Sequence, residues 1–199
     1  MLFISFICFQ QQFTHFLTNV PTAMRGVSSS NAQLRRFGSP LRIIPNYKIH
    51  VCESVVELFA QIEKSNRENS LCKVVTGPGW KINDDIVIDG NIYHWTGSKK
   101  RILSGDSMNT ISSIHKIQGF DLNVAGVIFG KEIRYDLESK RLEINKQELM
   151  DNFTKSNGDE EMRQYVLNIY LTLMTRGISA TYVYAVDKNL RDYLKQFFD

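Results

Sequence analysis

Cysteine is scarce in this chain: three in 199 residues, Cys8, Cys52 and Cys72. None forms a Cys-x-x-Cys pair, and His50, His94 and His115 follow no metal-ligand spacing. A structural zinc and a disulfide framework are both expected to be absent. An odd, sparse set of thiols points to a reducing, cytoplasmic setting. A long apolar run is also missing. The opening MLFISFICF is apolar but breaks at Gln10-Gln11-Gln12, far short of the about 20 residues a membrane helix needs. It also lacks the basic start of a signal peptide. No membrane partner is expected. Charge of one sign is not in excess: 24 basic residues face 21 acidic ones, a net +3. That balance permits contact with nucleic acid without arguing for it.

Chemical signatures are thin as well. A Walker phosphate loop needs GxxxxGK[ST] between a strand and a helix. The nearest stretch, Gly97 to Lys100, lacks the Gly-Lys pair and the following hydroxyl, and TGPGW does no better. A Walker B element needs its acids after an apolar strand, whereas DDIVIDG carries two Asp before it. Ser112, Ser113 and His115 have no GxSxG elbow around them. The chain is therefore not expected to hold a magnesium nucleotide alone.

What is present is an alternation of strands and helices after an irregular segment, residues 1–45, rich in Ser, Gly, Asn and Arg towards its end. From about residue 46 the pattern is regular. KIHVCE reads as a strand. Ser54 with Glu57 fits a capping box ahead of Val55, Leu58, Phe59 and Ile62 at helical spacing. LCKVVTG, DDIVIDGNIYHW, TISSIH and NVAGVIFG read as strands, and EIRYDLESKRLEIN as a hairpin. GDEEMRQYVLNIYLTLMTRG is the clearest helix, with acids at its start, Arg176 at its end and Gly177 as its expected stop. SATYVYAVD is a strand, and KNLRDYLKQFF a final helix capped by Asp187. Continuous apolar strands alternating with helices predict an α/β domain around a mainly parallel sheet. Ligands of such sheets sit beyond the carboxyl ends of the strands, so the polar turns of interest are expected near that edge.

Two turns carry candidate chemistry. The first is HKIQGFD, where Gly119 allows close backbone approach, Asp121 can accept from ribose hydroxyls, and Gln118 can bond a phosphate or a neighbouring loop. The bland alternative is a strand connection whose polar groups satisfy one another. The second is LMTRG. Arg176 can be an arginine finger, since a guanidinium stays charged and fits phosphate oxygens with its planar fork. The bland alternative is a helix-terminal cation worth at most about 1 kcal/mol. Trp80 and Trp95 can stack on bases, or cap the core. Tyr182 and Tyr184 read as packing residues.

Taken together, SSIHKIQGFDLNVAGVIFGKEIRYD and YVLNIYLTLMTRGISATYVYAVDKNLRDYLKQF resemble the C-terminal part of the Schlafen group 3-like DNA/RNA helicase family. The shared elements are a His-x-x-Gln-Gly-x-Asp-type turn, a Val-Gly-Val-Ile-type strand, an Arg-Tyr pair, a Thr-Arg-Gly helix end, a Tyr-Val-Tyr strand and a Leu-Arg-x-Tyr-Leu helix. The resemblance covers about Tyr47 to Asp199 and is weaker before Met108. It implies a superfamily 1-like motor of two RecA-like lobes, of which residues 46–199 look like the second. By that resemblance, His115 to Asp121 match motif V, with His115 and Lys116 toward nucleic acid and Gln118, Gly119 and Asp121 toward nucleotide. Lys116 stands where the family usually has Thr. Thr175 and Arg176 match motif VI, Arg176 as the catalytic finger. Met24-Arg25 is a poor match to the element that opens the second lobe.

The implied partners are a first helicase lobe, in cis or in trans, and single-stranded DNA or RNA. ATP and Mg²⁺ are expected only when that first lobe is present. Two other readings stay open: a non-catalytic nucleic-acid or protein-binding adaptor with a degenerate RecA-like fold, and an unrelated α/β enzyme with its own pocket. The motor reading requires the Gln118/Asp121 turn and Arg176 to face one common open surface.

Overall fold

Ser54 starts the first helix much as its spacing from Glu57 predicts. Its Oγ accepts the Glu57 N–H at 3.1 Å. Glu57 Oε2 reaches back to accept the Glu53 N–H at 2.8 Å, one residue earlier than in the usual reciprocal box. Helix α1 (Val55–Glu68) then buries Val55, Leu58 and Ile62 on one stripe. These coordinates come from a computed structural model that describes residues 47–68, 70–81, 84–95, 109–117, 119–150 and 158–198. Residues 1–45, Met24-Arg25 among them, the basic turn at Gly97 to Lys100, and Gln118 lie outside the described residues.

The strands are β1 (Lys48–Val51), β2 (Cys72–Thr76), β3 (Ile86–Ile88), β4 (Asn91–Trp95), β5 (Thr110–Ser113), β6 (Leu122–Phe129), β7 (Ile133–Asp136), β8 (Arg141–Ile144) and β9 (Gly177–Ala185). Seven of them form one sheet in the order β1-β9-β6-β2-β5-β4-β3, and β7 and β8 pair as a separate hairpin. Every neighbouring pair in the large sheet is parallel except β3 with β4. The remaining helices are α2 (Ile114–Ile117), α3 (Asp159–Met174) and α4 (Lys188–Phe198). This is the α/β arrangement expected of a RecA-like lobe.

Strand β6 is apolar throughout because both its faces are covered. Val124 and Ile128 pack on the side of α1, with Leu58 and Ile62. Ala125, Val127 and Phe129 pack on the side of α3, with Val166, Tyr170 and Leu173. Phe129 stacks on Tyr170 with ring centres 4.2 Å apart. Each buried Val, Leu, Ile or Phe side chain among these stabilises the fold by about 1.5–3 kcal/mol. Asp159, Glu160 and Glu161 occupy the first turn of α3 as its dipole prefers. Asp187 Oδ1 caps α4 by accepting the Leu190 N–H at 2.8 Å.

Two local readings are corrected. DDIVIDGNIYHW is not one strand but an antiparallel pair, β3 and β4. Asp89 and Gly90 both take positive φ, +49° and +77°, as a two-residue hairpin turn of mirror-image type requires. Gly177 does not stop α3 through a left-handed conformation. The helix closes on Thr175 and Arg176, whose N–H groups donate to Leu171 and Leu173 carbonyls at 3.2 Å each. Gly177 is needed for space, since a Cβ there would lie 2.3 Å from the Ala180 carbonyl oxygen.

Candidate functional site

Strands β6 and β9 are parallel neighbours, so the residues just before them meet at the amino edge of the sheet. Those residues are Asp121 and Arg176. The Leu122 N–H donates to the Arg176 carbonyl at 2.8 Å, which locks the two turns together through the backbone. Arg176 Nη1 lies 3.8 Å from Asp121 Oδ1, with the side chains 24% and 42% exposed. That is an ion pair without hydrogen-bond contact, worth at most about 1 kcal/mol at such exposure. Arg176 Nε is buried and has no hydrogen-bond partner.

Gly119 sits two residues before Asp121 at φ +84°, with nothing within 4 Å of where a Cβ would be. Its requirement is backbone conformation, not room. Phe120 beside it is 44% exposed. Thr175 shapes the other turn, its hydroxyl donating to the Thr172 carbonyl at 2.9 Å. Gly119, Asp121, Thr175 and Arg176 therefore share one edge and a half-open surface.

His115 and Lys116 are placed differently. They lie in α2, directly after Ser113 ends β5. Ser113 pairs with Thr76, and Thr76 with Ile128, near the carboxyl ends of β2 and β6. Ile114 thus stands at the carboxyl edge and Asp121 at the amino edge, with Ile117 fully buried. His115 and Lys116 belong to the start of that connection, Asp121 to its end.

The expectation that both turns lie at the carboxyl edge is overturned. Asp121 and Arg176 precede their strands in the chain, and the strands are parallel, so both fall at the amino edge. The carboxyl edge between β2 and β6 is filled instead. Gly77, Pro78 and Gly79 follow β2, Gly130 follows β6, and Glu132 sits between them with no solvent exposure. Glu132 Oε1 accepts from the Tyr170 hydroxyl, which itself accepts the Gly130 N–H at 3.0 Å. Glu132 Oε2 has no hydrogen-bond partner.

Burial pushes the Glu132 carboxyl up to about 7, against the opposing pull of the Tyr170 hydrogen bond. The same burial, with the Glu132 charge beside it, pushes the Tyr170 hydroxyl up. A Cβ on Gly79 would come within 1.8 Å of Glu132 Oε2, and one on Gly130 within 2.2 Å. Glycine is thus what lets the two loops close over the carboxyl. Sequence reasoning placed Tyr170 only on an apolar stripe and gave Glu132 no role. The available signal was glycine at the exits of two strands that prove to be adjacent.

Further along the carboxyl edge, the Arg191 guanidinium ties three elements. Its Nε donates to the Ala185 carbonyl at 3.0 Å, its Nη1 to the Glu53 carbonyl at 2.9 Å, and its plane lies 4.6 Å above the Tyr184 ring. Tyr193 of the same helix stacks on Tyr135 at 3.9 Å. The Arg-Tyr and Leu-Arg-x-Tyr-Leu elements are therefore parts of one packed joint.

Comparison with known proteins gives the chain a family. The model of the family described as Schlafen group 3, DNA/RNA helicase domain, matches residues 18–187. The chain belongs to that family. A curated, uncharacterized protein of Saccharomyces cerevisiae is 27% identical over 175 residues, covering 76% of this chain and 37% of the yeast protein. The chain thus spans little more than a third of that relative's length. No solved structure matches the chain. In this member of the family, Asp121 and Arg176 immediately precede two adjacent parallel strands. No described helix is long and apolar enough to cross a membrane.

Proposed function

We propose that this chain acts as the second RecA-like lobe of a superfamily 1-like, ATP-dependent DNA/RNA helicase or translocase, with its amino edge forming one wall of a composite ATP site. The observation that carries the reading is the Asp121–Arg176 pair, half-exposed, on one edge. Family membership supports it.

In this reading a first lobe supplies the Walker loops, which hold the phosphates and Mg²⁺. Arg176 exchanges Asp121 for the γ-phosphate, where a guanidinium stabilises charge that develops in the transition state. That move gives the orphaned Nε an acceptor, which a buried donor otherwise lacks at a cost of about 1–3 kcal/mol. Asp121, released, accepts from ribose hydroxyls. Gly119 lets the backbone approach the nucleotide. The Leu122–Arg176 backbone bond keeps the acid and the arginine in register, so one nucleotide engages both. His115 and Lys116, across the sheet, are the residues of the same connection that reach nucleic acid. Such a segment links the two ligands through a single piece of backbone.

The test is ATP hydrolysis stimulated by single-stranded DNA or RNA, with a Walker-bearing first lobe of a longer family member supplied in trans. The expected result is turnover that falls by about 10³–10⁵ in Arg176→Ala. Salt-sensitive strand binding with no turnover, indifferent to Arg176→Ala, would replace this reading with that of an adaptor.

A further inference from the structure

Along the edge strand β1, which pairs with β9, three side chains of different chemistry converge. They are His50 on β1, Cys52 just after it, and Glu57 in the first turn of α1. Their ligand atoms all lie within 4.8 Å of one another. His50 Nε2 and Glu57 Oε1 are 3.6 Å apart. We propose that imidazole, thiolate and carboxylate form a three-ligand site for a borderline-soft divalent cation of the zinc class, with a fourth coordination position open.

The geometry fits such an ion with little movement. Zinc bonds of about 2.0–2.3 Å at tetrahedral angles separate neighbouring ligand atoms by roughly 3.3–3.6 Å. The His50–Glu57 separation matches that spacing. The sulfur needs to close by no more than about 1.2–1.5 Å to reach it.

The framework is also fixed in advance. Alternation along β1 sends His50 and Cys52 to one side of the strand. The Glu57 carboxylate is oriented by its helix cap, because Oε2 holds the Glu53 N–H at 2.8 Å and leaves Oε1 turned to His50. The Tyr182 ring stands edge-on to His50 at 6.0 Å. The Glu53 carboxylate is engaged by Lys195, so Glu57 is the acid offered. Charge balances as well: one thiolate and one carboxylate neutralise a divalent ion, so no net charge is buried beside the fully covered Cys52.

The donor set of one nitrogen, one sulfur and one oxygen suits zinc better than magnesium or calcium, which take oxygen. Three protein ligands with one open position is the arrangement of sites that bind a water or an exogenous group, not of closed structural sites. A route from solvent exists, since His50 also lines an open surface groove with Gln61 and Tyr182. The expectation from sequence that no zinc is bound rested on cysteine pairs and regular spacing. This trio shows neither, because it is assembled across a strand-to-helix junction.

The test is titration of the purified full chain with Co²⁺, then displacement by Zn²⁺. One Co²⁺ per chain is expected, with a thiolate-to-cobalt charge-transfer band in the near ultraviolet. Cys52→Ser should abolish that band, while Cys72→Ser, at the other buried thiol among the described residues, should leave it. His50→Gln and Glu57→Gln should each weaken binding by at least the roughly 10–100-fold that even outer-shell partners contribute. These two side chains are partly exposed, and Gln can serve a capping box, so both variants remain informative if Cys52→Ser fails to fold. Zn²⁺ should raise the Tm of the wild type and not of His50→Gln. No saturable binding to the wild type, a band that survives Cys52→Ser, or unchanged affinity in both Gln variants would overturn the proposal.

Discussion

The two edges of the parallel sheet are built on opposite plans. At the carboxyl edge Glu132, Tyr170 and three close glycines fill the space between β2 and β6, and Arg191 clamps the neighbouring loops. At the amino edge Asp121 and Arg176 face each other at 3.8 Å, half in water, with a guanidinium nitrogen left unsatisfied. Single-domain α/β proteins place ligands at the first kind of edge. Here that edge is spent on packing, its one orphaned oxygen, Glu132 Oε2, sealed from solvent, whereas the half-exposed charged pair stands at the second. A surface that is ordered by backbone bonds yet incompletely paired is what a wall of a shared site needs. On the proposed reading its ligand comes with another body, and the wall stays open until that body arrives.

This contrast can be broken in graded steps. The largest loss of stability is expected from Gly79→Ala. A methyl 1.8 Å from the Glu132 carboxylate forces the loop or the carboxyl aside and should cost about 3 kcal/mol or more in urea unfolding. Gly119→Ala, at the open edge, has only its positive φ to contend with and should cost about 1–2 kcal/mol. Equal costs at the two positions would erase the distinction between a filled edge and an open one.

Glu132 also makes a prediction for pH. Its folded value of about 7 lies above the ordinary carboxyl value, so the folded chain keeps a proton that the unfolded chain has released. Its contribution is therefore complete below about pH 4.5 and is lost as pH rises through about 7, roughly 3 kcal/mol in all. Urea unfolding at pH 5 and pH 8 should show this loss in the wild type and not in Glu132→Gln. A wild type that loses no more than the variant would mean that Glu132 is ionised within the fold. The smallest effect on stability is expected from Arg176→Ala, within about 1 kcal/mol of the wild type, although the same change is expected to have the largest effect on assisted hydrolysis.

Much of the fold was legible because local signals and burial agree. The Ser54–Glu57 cap, the acids opening α3 and the unbroken apolar run of β6 each say locally what the tertiary structure then uses. The Asp89-Gly90 hairpin was missed although Asp-Gly is a strong turn signal, because apolar residues on both sides read as one run. The edge at which Asp121 and Arg176 lie depends on strand direction, and only the parallel pairing of β6 with β9 fixes it. Glu132 is further from the reach of sequence. A glutamate between a strand and a hairpin reads as a surface residue until Gly77, Gly79 and Gly130, distant in sequence, prove to surround it. The separation of His115 from Asp121 was equally hidden, since six positions apart in the chain can mean opposite edges of a sheet.

The most direct test of the composite-site account is ATP hydrolysis by the purified chain alone and with a Walker-bearing first lobe, each with and without single-stranded DNA, beside Arg176→Ala. The account predicts no turnover by the chain alone, and strand-stimulated turnover with the first lobe that depends on Arg176. Robust turnover by the chain alone, abolished in Arg176→Ala, would show a phosphate cradle within these 199 residues and would contradict it.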